Sequence, residues 1–353
     1  MEFNQEEDKC RRLIFVVGNS RSGTTMVSSI LGLNSQVFSF GELHFFEQLW
    51  SPQDRGRLLA PDEARGLTAA LLRRQREGIH HQSRKTYDRE VERILAEIPE
   101  EQRFPENIYK TFLCYESQEH RKDIPCEHTG QNIFYLREIL DLFPDSRIVN
   151  MVRDPRDVLV SQKRRWKRRF LGGKRGIPFR EAIRDWFNYN PLTISQLWKS
   201  GIEAAKEYSR DCRVLMLKFE DLLEDPDKQL TRLCDFIGLP YERSMLEVPH
   251  IGSSSGRDNP SRKGINQDRT GSWQNGGLSP TEVYICQKIT RNLMQQYGYK
   301  ISDIQPNPVR LVFYMMTFPW KILIAFILNL KRMKNVKETF KRRLRYKKEG
   351  QLP

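Results

Sequence analysis

The segment Gly18-Asn19-Ser20-Arg21-Ser22-Gly23-Thr24-Thr25 follows the apolar run Leu13–Val17 directly and opens the amphipathic stretch Thr24–Leu33. A strand, a glycine-bounded loop and a helix start form a phosphate cradle, because free N–H groups and the helix dipole converge on one spot. The spacing is that of a P-loop, G-x4-G-x-[ST]. Thr24, however, stands where a nucleotide triphosphatase has the lysine that reaches the β- and γ-phosphates. Arg21 is the only cation in the loop. Ser20, Arg21, Ser22, Gly23, Thr24 and Thr25 are therefore candidate ligands for a phosphate-like group in a loop not built for ATP or GTP hydrolysis.

A second signal lies downstream. Arg147–Val152 reads as a buried strand that runs into Arg153-Asp154-Pro155-Arg156-Asp157 and then a helix over Val158–Arg169. Arg153 falls at the strand's C-terminal end and Ser161 about two turns into the next helix. A guanidinium offers a forked, permanent cation to a phosphate, and a serine hydroxyl adds one more bond. The plain alternative is a salt-bridged turn that caps a helix. With the lysine-free loop upstream, the pair reads instead as two phosphate sites on one sheet edge, which points to sulfuryl transfer.

At these residues the chain resembles the sulfotransferase superfamily, whose cosubstrate is 3′-phosphoadenosine-5′-phosphosulfate (PAPS). The G-N-S-R-S-G-T-T loop is similar to that family's 5′-phosphosulfate loop, and R-D-P-R-D-V-L-V-S to its 3′-phosphate segment. Leu217-Lys218-Phe219-Glu220-Asp221-Leu222 with Glu224-Asp225-Pro226 is similar to the Y-E-D-L…D-P stretch, and Gly271-Ser272-Trp273 to a late G-x-W element. The likeness runs from about Leu13 to Tyr299 and is nearest the branch with the tyrosylprotein sulfotransferases and many bacterial members. It implies a PAPS site including Phe219 near adenine and Trp273, with either Arg262 and Lys263 or Arg269 joining Arg153 at the 3′-phosphate. Three departures stand out: Phe219 replaces a tyrosine, six residues separate Gly264 from Gly271, and His128 occupies the place of a family lysine that assists the sulfuryl group.

Transfer to a hydroxyl requires loss of the acceptor proton, an in-line arrangement and stabilisation of the leaving oxygen. The loop amides and Arg21 meet the last need. For the base, Glu42 follows the strand Gln36–Phe40, and loops at the C-terminal ends of neighbouring parallel strands share a crevice. The resemblance also implies a glutamate base at that place. His44 is the competing base, and its setting among Leu43, Phe45 and Phe46 suits a packed or acceptor-orienting residue. No metal is expected: the histidines show neither H-x3-H nor H-E-x-x-H spacing. The basic run Lys163–Arg169 reads as a solvated helix face with one or two members drawn to the cosubstrate, not as a nucleic-acid stripe.

These residues need a scaffold. Strand-like runs at Leu13–Val17, Gln36–Phe40, Ile124–Glu127, Arg147–Val152 and Arg213–Lys218, alternating with helical patterns, predict an α/β chain. The expected class is a P-loop-like three-layer fold with a central parallel sheet flanked by helices, a helical insertion and a C-terminal helical appendage. The expected division is 1–303 for the transferase domain, with the insertion at about 54–122, and 304–353 for an apolar then basic segment. Hydrophobic residues make up 38% of the 353 and charged residues 29%, with a net charge of +14. Such a balance implies anionic partners. The six dispersed cysteines predict reduced thiols. With a polar start and no apparent leader, the expected location is cytoplasmic. Val309–Leu330 is apolar but contains Pro319-Trp320-Lys321, which predicts a break into two short pieces and an interfacial segment on an anionic membrane, peripheral or monotopic. A P-loop nucleotide kinase and a non-catalytic binding protein are the competing functions. The class of hydroxyl acceptor is open.

Overall fold

The structure is a computed structural model that describes residues 12–78, 86–170, 178–250, 259–266, 269–330 and 336–345. Its centre is a five-stranded sheet of β1 (Ile14–Gly18), β2 (Val37–Ser39), β3 (Ile124–Glu127), β4 (Arg147–Val152) and β5 (Val214–Lys218), in the order β2-β3-β1-β4-β5. Every pairing is parallel, with Phe15 opposite Glu127 on one side and Ile148 on the other. All five residues of β1 are buried, as expected of a strand covered on both faces. Alternation then sorts its side chains: Phe15 and Val17 join one apolar cluster, Ile14 and Val16 the other.

The first cluster is completed by the insertion between β2 and β3, in which α2 (Pro61–Glu77), α3 (Asp88–Ala96) and α4 (Pro105–Glu119) stack over the sheet. Arg76 ties them together through Glu90 and Glu116, both at 2.7 Å. The second cluster is filled by α1 (Thr24–Leu31) and by the helices after β5, α9 (Phe219–Glu224) and α10 (Pro226–Ile237). A third joins α6 (Pro155–Lys163), α8 (Pro191–Lys206) and α11 (Pro280–Gln296) beside β4. This is the expected three-layer α/β fold.

Two expectations are corrected. Cys114 is disulfide-bonded, so the thiols are not all reduced. Cys126, Cys212, Cys234 and Cys286 are free, all but Cys212 buried. Dispersion along a chain does not keep cysteines apart in space. Pro319 also fails to break the C-terminal segment: Pro308–Asn329 is one helix, α12, long and apolar enough to cross a membrane. A helix supplies the φ that proline requires, so the local loss is one N–H bond and some crowding. Nearby, the Thr317 hydroxyl donates to the Phe313 carbonyl at 2.8 Å.

Gly23 opens α1 at φ 98°, where a Cβ would lie 2.4 Å from Phe219 Cδ2. Only glycine lets the loop and the β5 end approach this closely. Gly23→Ala should therefore lower unfolding free energy by about 1–3 kcal/mol, read from urea denaturation. An unchanged midpoint would mean that the contact with the Phe219 ring is not fixed.

Candidate active site

In parallel α/β sheets, sites form outside the C-terminal strand ends where the strand order reverses. Here β1 lies between β3 and β4, so that crevice opens at Gly18 and beyond. Arg21 holds a left-handed φ of 75° in the loop, and the Ser22 amide donates to the Asn19 carbonyl at 3.0 Å. Ser20 is half-buried, Ser22 and Thr24 are buried, and Thr25 is exposed at the start of α1. Ser22 Oγ has no hydrogen-bond partner among the described residues.

The two phosphate signals meet directly. Arg21 Nε donates to Ser161 Oγ at 2.9 Å, and Arg153 Nη1 donates to the Arg21 carbonyl at 3.1 Å. Arg153 also lies 4.3 Å over the Phe219 ring, and its Nη2 donates to the Arg269 carbonyl at 2.7 Å. Arg153 Nε is buried without a hydrogen-bond partner among the described residues. The remainder of R-D-P-R-D is the salt-bridged turn of the plain alternative. Asp154 caps α6 and pairs with Arg156 at 2.6 Å, while Asp157 accepts the Gly271 and Trp273 amides at 2.8 and 3.1 Å. Trp273 thus packs 3.9 Å under Arg156.

Burial, followed by the charges of Arg168, Arg165 and Arg153, lowers the Arg21 pKa to about 9. It remains a cation at neutral pH. The half-open side chain lets solvent soften this repulsion, and an anion in the loop would relieve it further. Within the basic run, Lys163 pairs with Glu282 at 2.8 Å and Arg165 with Asp185 at 3.2 Å. Arg262 and Lys263 lie exposed on β7 (Asn259–Lys263) of a small antiparallel sheet, with Lys263 paired to Glu247 at 3.0 Å. Of the two alternatives for the 3′-phosphate, Arg269 meets Arg153 through its main-chain carbonyl, while Arg262 and Lys263 stand on the small second sheet.

Glu42 was expected on a strand next to the loop. Its strand, β2, is instead at the sheet edge beyond β3, so Glu42 approaches the loop across the end of β3. His44 Nε2 stands 3.5 Å from Glu42 Oε2, and His44 Nδ1 3.8 Å from Glu47 Oε2. Glu42, although ringed by protein, keeps 45% of its side chain open to the cleft. Burial works against both charges, yet the His44 bond and charge hold Glu42 down at about 2, and Glu42 with Glu47 pushes His44 up to about 9. His44 is therefore an imidazolium near neutral pH. His128 differs: burial lowers its pKa, and its Nδ1 lies 2.7 Å from the Phe40 carbonyl. That carbonyl can only accept, so the proton sits on Nδ1 and the Nε2 lone pair is left available.

A model of the sulfotransferase family matches residues 13–243. The chain belongs to the sulfotransferase family. It is 24% identical to an uncharacterized protein of Aquifex aeolicus (strain VF5) over 67% of this chain and 27% of that one. It is 23% identical to protein-tyrosine sulfotransferase 1 of Danio rerio over 84% of this chain and 74% of the relative. The chain thus spans about a quarter of the first relative's length. Among solved structures, the sulfotransferase domain of the Synechococcus PCC 7002 olefin synthase shares the fold. Its TM-score is 0.50 and its identity 20%, over 86% of this chain and all (100%) of that one.

Several supports of this sulfotransferase site escaped the sequence reading. Buried Glu127 accepts from the Leu43 and Thr129 amides at 3.2 and 3.0 Å and from Asn132 Nδ2 at 2.8 Å, clamping the β2 and β3 loops together. Arg74 of the insertion donates to the Leu43 and His44 carbonyls at 2.5 and 3.2 Å. Trp198 of α8 donates to the Arg153 carbonyl at 2.9 Å, and its own carbonyl accepts from Asn19 Nδ2 at 3.1 Å. Arg343, on α13 (Val336–Arg345), pairs with Glu47. The glutamate that ends β3 was a local signal; the others depend on contacts across the chain.

The His44 pair is testable by pH. A histidine whose folded pKa is raised adds stability that is fully present below the ordinary value of about 6.5 and lost as pH rises through about 9. NMR titration should find His44 charged up to near pH 9, and closer to the ordinary value in Glu42→Gln. Titration near 6.5 in the unaltered protein would show that the pair does not form.

Proposed function

We propose that this sulfotransferase moves the sulfuryl group of PAPS to a hydroxyl acceptor, with Glu42 as the general base. The contact of Arg21 with both Ser161 and Arg153 carries this reading. It joins a cradle after β1 to a second cationic site after β4, as a ligand with phosphate groups at both ends requires. The unpartnered Ser22 Oγ and Arg153 Nε are consistent with groups kept for such a ligand. PAPS supplies the sulfuryl group and, as the bond to its 5′-phosphate breaks, a leaving anion. The Ser22–Thr25 amides and Arg21 would hold the 5′ end and stabilise that anion. Arg153, with Arg269 alongside, would hold the 3′-phosphate, and half-buried Trp273 would offer a flat face to the adenosine, whereas Phe219 lies buried beneath Arg153 and would support the site from behind.

The acceptor oxygen forms the new bond to sulfur, and its proton passes to Glu42. Glu42 is ionised, open to the cleft and near enough to feel Arg165. His44 already carries its proton, which argues against it as base and for it as the group that aims Glu42. One observation favours a second reading of the base. His128 is neutral, with its Nε2 lone pair available beside Glu42.

Thermal-shift titration should show stabilisation by PAPS and by adenosine 3′,5′-bisphosphate far beyond that by ATP-magnesium. Arg153→Ala should weaken that binding by about 1.5–3 kcal/mol. Equal stabilisation by ATP-magnesium would favour a nucleotide kinase. Glu42→Gln should lower kcat by about 10²–10⁴-fold with PAPS affinity nearly unchanged. Should His128→Asn alone give that loss, the proton passes to His128.

A further inference from the structure

A surface helix of a soluble domain turns its apolar stripe inward and its polar residues to water. In α12 the face turned to solvent is apolar instead. Val309, Val312, Phe313, Met316, Trp320 and Leu323 recur at helical spacing on one face, and all are exposed, Met316 by 71% and Trp320 by 68%. The polar contacts are on the side that meets the domain. Lys321 Nζ donates to the Tyr189 carbonyl at 3.3 Å and lies 5.3 Å from the Trp186 ring centre. Asn329 donates to Asn188 Oδ1 at 2.9 Å and accepts from Arg184 at 3.1 Å. At the other end the Asn307 amide donates to Thr281 Oγ1 at 3.0 Å. The helix, 22 residues and thus about 33 Å long, is bound at its start, middle and end, and so lies along the domain.

The residues around this face select its occupant. Pro308–Asn329 contains Arg310 and Lys321 but neither aspartate nor glutamate. The neighbouring helix α7 (Phe179–Asn188) adds exposed Phe179, Ile183 and Trp186; farther along the chain, Lys337 and Lys341 of α13 are also exposed and add to the positive charge that an anionic surface would meet. We propose that α12 is a monotopic membrane seat, lying in the plane of an anionic bilayer with its apolar face in the acyl boundary. A spanning helix would have to give up the contacts of Lys321 and Asn329 and carry a lysine into hydrocarbon. A second copy of this chain would bring the same net charge of +14, which repels where anionic lipid attracts. The seat adjoins the candidate site, because Asp185 of α7 bonds Arg165, whose charge reaches Glu42 and Arg21.

Vesicle flotation of the full chain tests this. It should bind phosphatidylserine-containing vesicles strongly and phosphatidylcholine vesicles weakly, and high salt should release only part of it. Phe313→Glu with Trp320→Glu, both on the exposed face, should lower the partition coefficient by about 100-fold or more, with an unchanged melting temperature. Lys337→Glu with Lys341→Glu should weaken binding to the anionic vesicles only. The proposal is overturned if the full chain floats with neither vesicle, or if the Phe313/Trp320 variant binds as the unaltered chain does. It is also overturned if ultracentrifugation finds a dimer that this variant converts to monomer, since the occupant is then a second copy.

Discussion

Arg153, Arg165 and Arg168 stand close enough for their charges to act on Arg21, and the fold must keep them there against that repulsion. The surrounding residues divide this task. Arg165 is balanced by Asp185, and neighbouring Arg156 by Asp154. The Arg21 guanidinium donates to a serine hydroxyl, and that of Arg153 donates to backbone carbonyls and lies over an aromatic face. The charges of Asp157, Glu220 and Asp154 offset part of the cost of burying Arg153, as Glu42 does for Arg21. The sheet order makes the gathering possible by setting β1 beside β4.

On the carboxylate side of the cleft, Glu42 and Glu47 flank His44, so the imidazole stays charged and the carboxylates stay ionised. The loop carrying Glu42 and His44 is fixed from two layers, by Arg74 of the insertion above and Glu127 of the sheet below. Burial raises the Glu127 pKa to about 7, because its bonds to amides and Asn132 do not fully replace water. The insertion is therefore part of the site's support, beyond covering the sheet.

Strands were legible because β1 and β4 are short apolar runs ended by glycine or by charge, and periodicity marks these well. The loops that follow them were legible for the same reason, since each site residue is read from its distance past a strand. Strand order was less so. Nothing local says that β3 lies between β1 and β2, so the strand before Glu42 was expected beside β1 rather than at the sheet edge. The proline in α12 misled because its cost is local while the contacts that hold the helix, at Lys321 and Asn329, come from distant α7. Glu47 with Arg343, and Trp198 with Asn19, were invisible for a similar reason: their meaning appears only when the chain is closed.

Arg343 and Glu47 are 296 residues apart in the chain, yet they meet against the loop that bears His44. On the ribosome, Glu42, His44 and Glu47 emerge after β1 and β2, and β3, whose Glu127 holds their loop from below, follows. The arginine that balances Glu47 comes among the last residues described. During synthesis the emerging loop holds two carboxylates about one histidine without that counterweight. Its charge balance is reached only once translation has passed Arg343.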